Sequence, residues 1–456
     1  MNARDDRSKR PLRRRDFLKL VGAGGATVAL AACAAPVAAP AGDTGEAAAP
    51  SLAGQKIKAL LSDFFFSQYI EEQAPVFTEN TGIEVEVERV TFPIMLEQSE
   101  IELSSGSTNY DVLWQVFIKA QRWMRAGWST ALDDYIAASN FDMTDFIQST
   151  IDAMTYEGAT YGIPFLAEST QMIYRKDKLD EVGMEVPKTF DELEAVLAAT
   201  HAPEEFYAYV MRTEPNGVHF PYPIWLQGYG GNVFRDPPND LTPTLNTPEA
   251  LTATEDFCGK ITRYSIAGSQ IYGTPDCQNA MAQGLAGLWV DALGIFTPIT
   301  DPETSKVADL VSISLPPGGP AGQFPQIATH GLQIPAASTK KDAAWEFVSW
   351  ATSHDFMFAA MLAGYNAVNR KSILSSPEYA ELYNTGGSDI GQLVIESLDL
   401  SNAAYRVVPE FPEVGQRMGQ AIGEIISGQK TVQEAMDSCQ ADAEQIMIQG
   451  GNEISV

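Results

Sequence analysis

The strongest constraint on the fold is a regular alternation of strand-like and helix-like segments. Residues 56–61 are largely apolar and typical of a strand, and residues 67–79 have the spacing of a helix. Residues 83–88 then alternate strictly between apolar and acidic side chains, as expected for a strand with one face in water. A helix over 92–103 and a strand over 110–116 continue the pattern. This order predicts an α/β protein with layers of parallel strands and helices.

Several helix starts are marked by capping residues. Thr189 and Thr431 are each followed by a glutamate three positions later, which predicts a capping box at both sites. Thr247 and Ser376 each precede a proline, an arrangement typical of a cap residue before the first helical position. Helices are therefore predicted to begin at all four positions.

The first 54 residues have the order of an export and anchoring segment. Arginines at 13–15 precede an apolar run at 20–32, and its 13 residues are fewer than the roughly 20 that cross a bilayer. The arginine string resembles a twin-arginine export signal, and the small residues before Cys33 resemble a lipobox. We predict a signal peptide over 1–32, then a lipidated Cys33 with a flexible Ala/Pro/Gly-rich tether over 33–54. The alternative is a short N-terminal membrane helix with an incidental cysteine.

Length and charge limit the number of lobes and the classes of ligand that the rest of the chain can have. About 400 residues remain after the tether, which predicts two lobes. The formal net charge is −29, and residues 1–32 contribute eight basic and three acidic side chains, so the remainder carries −34. Such a surface repels nucleic acid and anionic headgroups, and the 22 remaining basic residues disfavour an anionic ligand.

Cysteine and histidine suggest neither a metal site nor a cofactor. Beyond Cys33, the chain has Cys258, Cys277 and Cys439. A disulfide between Cys258 and Cys277 and three unpaired buried cysteines are both compatible with an extracytoplasmic location. The four histidines are scattered, and no metal-binding spacing is present.

Several motifs occur in a fixed order along the chain, at 75–83, 110–112, 161–177, 280–289 and 334–347. Together they resemble the family 1 extracellular solute-binding proteins of bacterial ABC importers. The strings at 164–170, 288–292 and 347–353 are similar to the sorbitol- and mannitol-binding branch in particular. The chain departs from the family at 331–333, where members often carry a tryptophan.

The resemblance implies a two-lobe periplasmic-binding-protein fold of type II, with three crossover segments and a ligand cleft between the lobes. Crossovers are expected near 164–170, 320–330 and 373. Lobe 1 would comprise 55–165 with 327–372, and lobe 2 would comprise 166–326 with 373–456. Hinge motion would close the lobes on the ligand.

A site for a sugar or polyol needs aromatic faces for the C–H groups and polar side chains for the hydroxyls. Candidate residues follow the predicted strands, lie on the expected crossovers or belong to a Gly-rich loop at 225–232. Trp289 and Asp291 are the pair we favour most, and replacing Trp289 with Ala should weaken binding while folding stays largely intact. The alternatives without a binding role are that the aromatic residues belong to the core, that the Gly-rich loop is a surface turn and that His330 is structural. The predicted ligand-binding residues are Asp63, Phe64, Trp114, Gln115, Glu168, Ser169, Trp225, Tyr229, Asn232, Trp289, Asp291, His330 and Tyr365.

The predicted function is capture of a small carbohydrate or polyol outside the cytoplasm and its delivery to ABC permease subunits in the membrane. The usual motifs of serine hydrolases, zinc peptidases and P-loop enzymes are missing from the sequence. A secreted lipoprotein glycoside hydrolase is one alternative, because that reaction needs only two carboxylates. The other is the same fold binding an oligosaccharide, a glycerol phosphate or a polyamine.

Overall fold

The segments predicted at the start of the chain are present in the computed structural model, which describes residues 52–203 and 205–455. The predicted signal peptide, Cys33 and most of the tether lie outside the described residues. The strands are β1 Lys56–Ser62, β2 Glu84–Val90, β3 Val112–Val116, β4 Thr155–Tyr156, β5 Ala159–Thr160, β6 Ile163–Arg175, β7 Phe234–Asp236, β8 Asp240–Pro243, β9 Leu288–Ala292, β10 Val311–Ser314 and β11 Ile327–Gln333.

Helices follow most of the strands, as the alternating pattern predicts. Short 3₁₀ turns also occur at Ser269–Ile271, Leu293–Phe296, Ala308–Leu310 and Ala404–Val407. The α-helices are α1 Phe65–Thr81, α2 Phe92–Ser105, α3 Phe117–Arg125, α4 Asp133–Ser139, α5 Gln148–Asp152, α6 Lys176–Val182, α7 Phe190–Thr200, α8 Pro215–Val218, α9 Tyr222–Gly228, α10 Pro248–Tyr264, α11 Thr274–Ala282, α12 Thr297–Thr300, α13 Lys341–Ala351, α14 His354–Leu362, α15 Lys371–Leu374, α16 Pro377–Tyr383, α17 Ile390–Leu400, α18 Phe411–Ile426 and α19 Val432–Gln449.

The first three strands form a parallel unit. β1 lies between β2 and β3 and is parallel to both. β3 is buried along its whole length, whereas β2 is an edge strand whose acidic positions Glu84 and Glu86 are exposed. The alternating sequence of β2 therefore matches a strand with one wet face. Because β1 and β3 point the same way, the residues that follow them emerge at one edge of the sheet.

The 13-residue strand β6 joins two groups of strands. Its first half, as far as Ser169, pairs with β11, which in turn pairs with β3. Its second half, from Thr170, pairs with β9 on one side and with β10 on the other. Every residue of β6 except Glu168 is buried, so the strand has packed neighbours on both faces. β6 thus runs from one strand group into the other within the segment predicted as the first crossover.

A local irregularity in the ladder accommodates Pro164 near the start of β6. The register between β6 and β11 shifts between His330 and Gly331, where Gly331 lies opposite Pro164. Proline has no N–H to donate, and strands tolerate it at such irregular positions. A Cβ on Gly331 would lie 3.0 Å from the carbonyl oxygen of Ile163, so the close approach of the two strands favours glycine here.

The predicted helix caps are confirmed. Thr189 and Thr431 each accept a hydrogen bond from the backbone N–H of the third helical residue, and each forms a full capping box with its glutamate. Thr247 and Ser376 also cap their helices, each before a proline in the first turn. These ends are set by short-range chemistry and were therefore readable from the sequence.

The described cysteines are unpaired. Cys258, Cys277 and Cys439 are all buried and free, which agrees with the second of the two arrangements compatible with the sequence. Within the described ranges, no helix combines the length and apolar character needed to cross a bilayer.

Two glycines of α18 provide a test of the packing of the C-terminal helices. A Cβ on Gly419 would collide with the backbone of Pro215, whereas a Cβ on Gly423 would meet nothing within 4 Å. We predict that Gly419→Ala lowers the free energy of unfolding by about 1–3 kcal/mol. Gly423→Ala in the same helix should raise it by about 0.5–1 kcal/mol, because glycine disfavours helix interiors. Urea denaturation measures both, and a loss of stability in Gly423→Ala would contradict the packing described here.

Candidate functional site

An exposed phenylalanine stands over a buried tryptophan where β1 and β3 end. Phe64 is 45% exposed, and its ring centroid lies 5.9 Å from that of Trp114. Trp114 is buried and packs edge-on against Phe165 of β6 at 4.6 Å. Phe64 therefore presents an accessible aromatic face, and its ring packs on the buried ring of Trp114. The neighbouring Asp63 points elsewhere, since its carboxylate pairs with Arg89 of β2.

His330 of β11 extends this aromatic group. Its ring centroid lies 5.5 Å from that of Trp114, 5.8 Å from Phe92 and 6.3 Å from Phe117. Burial lowers the pKa of His330 to about 3, so the imidazole is neutral at physiological pH. Its Nδ1 has no hydrogen-bond partner within the described part of the chain. His330 is thus a neutral polar group in an otherwise apolar wall.

A buried ion pair lies at the end of β9. The Nη2 of Arg212 donates to Oδ1 of Asp291 at 2.6 Å, and the backbone N–H of Ala292 donates to the same oxygen at 2.8 Å. Asp291 is fully buried, and its Oδ2 and the Nε of Arg212 have no described partner. Burial raises the pKa of Asp291, and Arg212 acts against that rise. Each member of the pair therefore keeps an atom that a bound ligand could engage.

Glu168 is the one residue of β6 that is not fully buried, and it stands where the strand changes partners. Its pKa is raised to about 7, first by burial and then by the negative charge of Asp291, against the opposing effect of Arg212. Its carboxylate lies so close to Gly294 that a Cβ there would collide with it. The glycine makes room for an acidic group that is partly protonated near neutral pH.

Two of the predicted polar residues on strands have different surroundings. Gln115 of β3 is buried, and neither of its side-chain polar atoms has a described partner. Ser169, by contrast, accepts from Gln171 at 3.0 Å, and Gln171 also donates to Ser397 at 2.7 Å. Gln115 keeps its hydrogen-bonding capacity, whereas Ser169 belongs to a network that ties β6 to α17.

Trp225 is not the exposed aromatic side chain that the Gly-rich loop suggested, whereas Tyr229 and Asn232 are half-buried. Trp225 is fully buried, with its ring stacked on Phe190 at 5.0 Å and its indole N–H donated to Asp256 at 3.1 Å. Tyr229 also stacks on Phe190, at 5.4 Å, and Asn232 accepts from the next backbone N–H at 2.9 Å. Trp225 lies within α9, and its stacking on Phe190 stabilises the packing of α9 against α7. Tyr229 and Asn232 follow the end of α9.

Trp289 and Tyr365 also have larger structural roles than the sequence suggested. Trp289 is fully buried in β9 and packs edge-on against Phe296 at 5.4 Å. Its replacement by Ala would open a core cavity, so the expectation that folding stays largely intact does not hold. The Tyr365 hydroxyl donates to the carbonyl of Phe165 at 3.0 Å, which fixes the ring against β6.

Two arginines that no sequence motif marks also lie near these residues. Arg212 lies in an irregular segment before α8, and Arg406 lies in the 3₁₀ turn Ala404–Val407. The guanidinium carbon of Arg406 lies 5.0 Å from the ring centroid of Phe117 and 4.7 Å from that of Phe220. Neither arginine belongs to a motif or a periodic pattern. Only the tertiary fold brings them to the site.

Comparison with known proteins identifies the family. A family model described as bacterial extracellular solute-binding protein matches residues 63–357, which is more than half of the chain. The chain therefore belongs to the bacterial extracellular solute-binding proteins. It is similar to the mannitol-binding protein of Pseudomonas aeruginosa, with 23% identity over 383 residues that cover 78% of this chain and 85% of that protein.

Solved structures confirm the predicted periplasmic-binding-protein fold. A solute-binding protein from Agrobacterium radiobacter in complex with ribitol matches with a TM-score of 0.75 and 23% identity, over 87% of this chain and 99% of that one. One from Agrobacterium vitis with bound D-mannitol matches with a TM-score of 0.73 and 23% identity, over the same shares of the two chains. At these identities, the likeness establishes the fold.

The raised pKa of Glu168 predicts a pH-dependent stability. The unfolded chain releases this proton near pH 4.5, whereas the folded chain holds it up to about pH 7, so stability falls as the pH rises through that window. Replacing Glu168 with Gln should remove about 3 kcal/mol of this loss between pH 5 and pH 8. Urea denaturation at both pH values measures the effect, with Glu346→Gln on the exposed face of α13 as the control. An unchanged pH dependence in Glu168→Gln would contradict the burial of this carboxyl.

Proposed function

We propose that this chain captures a small polyol or carbohydrate beside β3, β6 and β9 and delivers it to the permease of an ABC importer. The observation that carries the proposal is the grouping of Glu168, Asp291 and Arg212 where β6 passes between strand groups. The exposed ring of Phe64 lies at the ends of β1 and β3 and packs on Trp114. The chain belongs to the solute-binding family, and proteins similar to it are named for mannitol or were solved with ribitol. Both findings support the same ligand class.

The chemistry of these groups suits a ligand with many hydroxyls. Carboxylates accept hydrogen bonds from hydroxyl groups, and a guanidinium donates to them. Phe64 offers an apolar face to the C–H groups of a carbon chain or ring. Leaving a buried polar atom without a hydrogen bond costs about 1–3 kcal/mol. The unpartnered atoms of Gln115, Asp291 and Arg212 therefore favour a polar ligand that can form hydrogen bonds with them.

Hinge closure is the proposed mode of capture. We divide the chain into lobe 1, residues 55–165 with 327–372, and lobe 2, residues 166–326 with 373–456. The change of partners within β6, from β11 to β9 and β10, supports this boundary. A ligand that contacts both strand groups would stabilise the closed form, which the permease would recognise.

The direct test is isothermal titration of the full chain with sorbitol, mannitol, glucose, maltose and spermidine. Heat of binding from one polyol or sugar, with no new product in the calorimeter sample, would support a transport receptor. Hydrolysis of an oligosaccharide would instead favour the alternative function, a glycoside hydrolase. Absence of binding heat with all five compounds would contradict the proposed ligand class.

Phe64 provides the most selective variant for this test. Its ring is exposed and contributes little to the core, so Phe64→Ala should leave the free energy of unfolding within about 0.5 kcal/mol of the parent. We predict that the dissociation constant for the bound polyol or sugar rises about five- to tenfold, because an aromatic face is lost. Ile271→Ala, at the most exposed apolar side chain described, is the control. Equal affinities in both variants would remove Phe64 from the site.

The proposed location is extracytoplasmic, with the chain held at the membrane by lipid on Cys33. A single thioether-linked diacylglycerol contributes about 0.8 kcal/mol per buried methylene, enough for stable attachment. We predict that Cys33→Ser moves the protein from the membrane fraction to the soluble extracytoplasmic fraction and abolishes incorporation of labelled fatty acid. Cys439→Ser is the matched control, since that thiol is buried in the folded chain. Fatty-acid labelling that persists in Cys33→Ser would contradict the proposed anchor.

A further inference from the structure

Arg406 is a buried guanidinium held among aromatic rings. Its side chain is only 3% exposed, and its guanidinium carbon lies 4.7 Å from the ring centroid of Phe220, 5.0 Å from Phe117 and 5.8 Å from Phe411. Phe117 directly follows β3, whereas Arg406 belongs to the C-terminal part of the chain. The guanidinium therefore lies against residues from both of the proposed lobes.

The charge of Arg406 has no acidic partner within the part of the chain that the structure describes. Among the described residues, no carboxylate lies within 4 Å of the Arg406 guanidinium, and its Nε and Nη1 have no hydrogen-bond acceptor. Other buried arginines differ, since Arg175 pairs with Asp177 at 2.5 Å and Arg370 with Asp145 at 3.5 Å. A buried charge without a partner costs several kcal/mol, even where aromatic faces offset part of it. Two nitrogens of the Arg406 guanidinium therefore keep N–H groups without an acceptor among the described residues.

The surroundings of Arg406 strengthen the positive potential. Arg212 lies 5.8 Å from the centroid of the same Phe220 ring, and its Nε is also unpartnered. The charged and polar groups that act on Arg406 are Arg212 and the hydroxyl of Tyr405. Burial, followed by the charges of Arg406 and Arg212, lowers the pKa of nearby His219 to about 3, so this histidine adds no charge. Asp291 pairs with Arg212, whereas no carboxylate of the described residues pairs with Arg406.

We propose that the ligand is a sugar acid whose carboxylate binds Arg406, with its hydroxyl-bearing chain extending towards Glu168 and Phe64. This inference rests on the proposed function and narrows its substrate class. One unpaired charge matches a monoanion rather than a phosphate dianion, and a guanidinium can donate two parallel N–H groups to a carboxylate. Phe117 also contacts His330, which contacts Trp114, so an aromatic wall connects the Arg406 end to the Phe64 end.

The small number of basic residues does not oppose this assignment. The sequence disfavours anions because only 22 basic side chains remain after the signal segment. A count of charges over the whole chain describes the exposed surface, where water weakens each charge. A single desolvated guanidinium interacts much more strongly with a bound anion than many exposed lysines would.

The test compares two ligands that differ only at one terminal carbon. The full chain is titrated with D-mannitol and with D-mannonate, in which a carboxylate replaces a terminal CH₂OH, and with mannitol 1-phosphate. We expect the parent chain to bind mannonate at least tenfold more tightly than mannitol. In Arg406→Met, mannonate should lose at least tenfold in affinity while mannitol changes less than threefold.

Two further variants separate charge, geometry and folding. Arg406→Lys keeps the charge but not the planar fork, so its affinity for mannonate should fall between those of the parent and Arg406→Met. Arg235→Met removes the same charge from the exposed β7–β8 hairpin and should leave both affinities unchanged. Without ligand, Arg406→Met should melt no lower than the parent, because it removes an unpaired buried charge.

The outcomes separate this inference from the proposed function. Mannitol that binds the parent as tightly as mannonate would overturn the sugar-acid assignment and leave polyol capture in place. Preference for the phosphate ester would overturn the carboxylate assignment. Absence of heat with all three ligands would overturn both proposals. The comparison in the parent chain decides the question even if Arg406→Met does not fold.

Discussion

The structure depends on β6, because this strand hydrogen-bonds to both groups of strands. Along its 13 residues the strand exchanges β11 for β9 and β10 as partners, and backbone groups on both halves remain paired. Unpaired backbone groups in a buried strand would be costly, so the two strand groups are held together at this segment. The exchange of partners occurs between Ser169 and Thr170, directly after Glu168. The carboxylate of Glu168, which we propose binds the ligand, therefore lies next to the position where β6 changes partners.

Charge burial is the second organising feature of the site. Glu168, Asp291, Arg212 and Arg406 are all wholly or largely removed from water, yet only Asp291 and Arg212 pair with each other. Removing charges from water is unfavourable, and incomplete pairing leaves hydrogen-bonding capacity unused. A binding protein benefits from this arrangement, because a ligand that completes the hydrogen bonds gains the energy that the empty site lacks.

Local patterns in the sequence predicted much of the fold. The strands and helices up to residue 116, the capped helices after Thr189 and Thr431 and the family fold are confirmed, since periodicity, capping and motif order depend on short-range chemistry. The lobe boundaries stay a prediction. Side-chain roles were harder to predict, as Trp225 illustrates: its loop context suggested an exposed platform, whereas packing against Phe190 and Phe257 buries it. Arg406 had no local signal, because its partners Phe117 and Phe220 are distant in sequence.

The central claim is that one ligand contacts both strand groups around β6. Hydrogen–deuterium exchange of the full chain, with and without a saturating ligand found by titration, tests it most directly. We expect slower amide exchange in three separate segments, at residues 112–117, 288–292 and 404–407, because a ligand in the site would order all of them. Slower exchange in only one strand group, or changes confined to a distant surface, would contradict a site shared between the two groups.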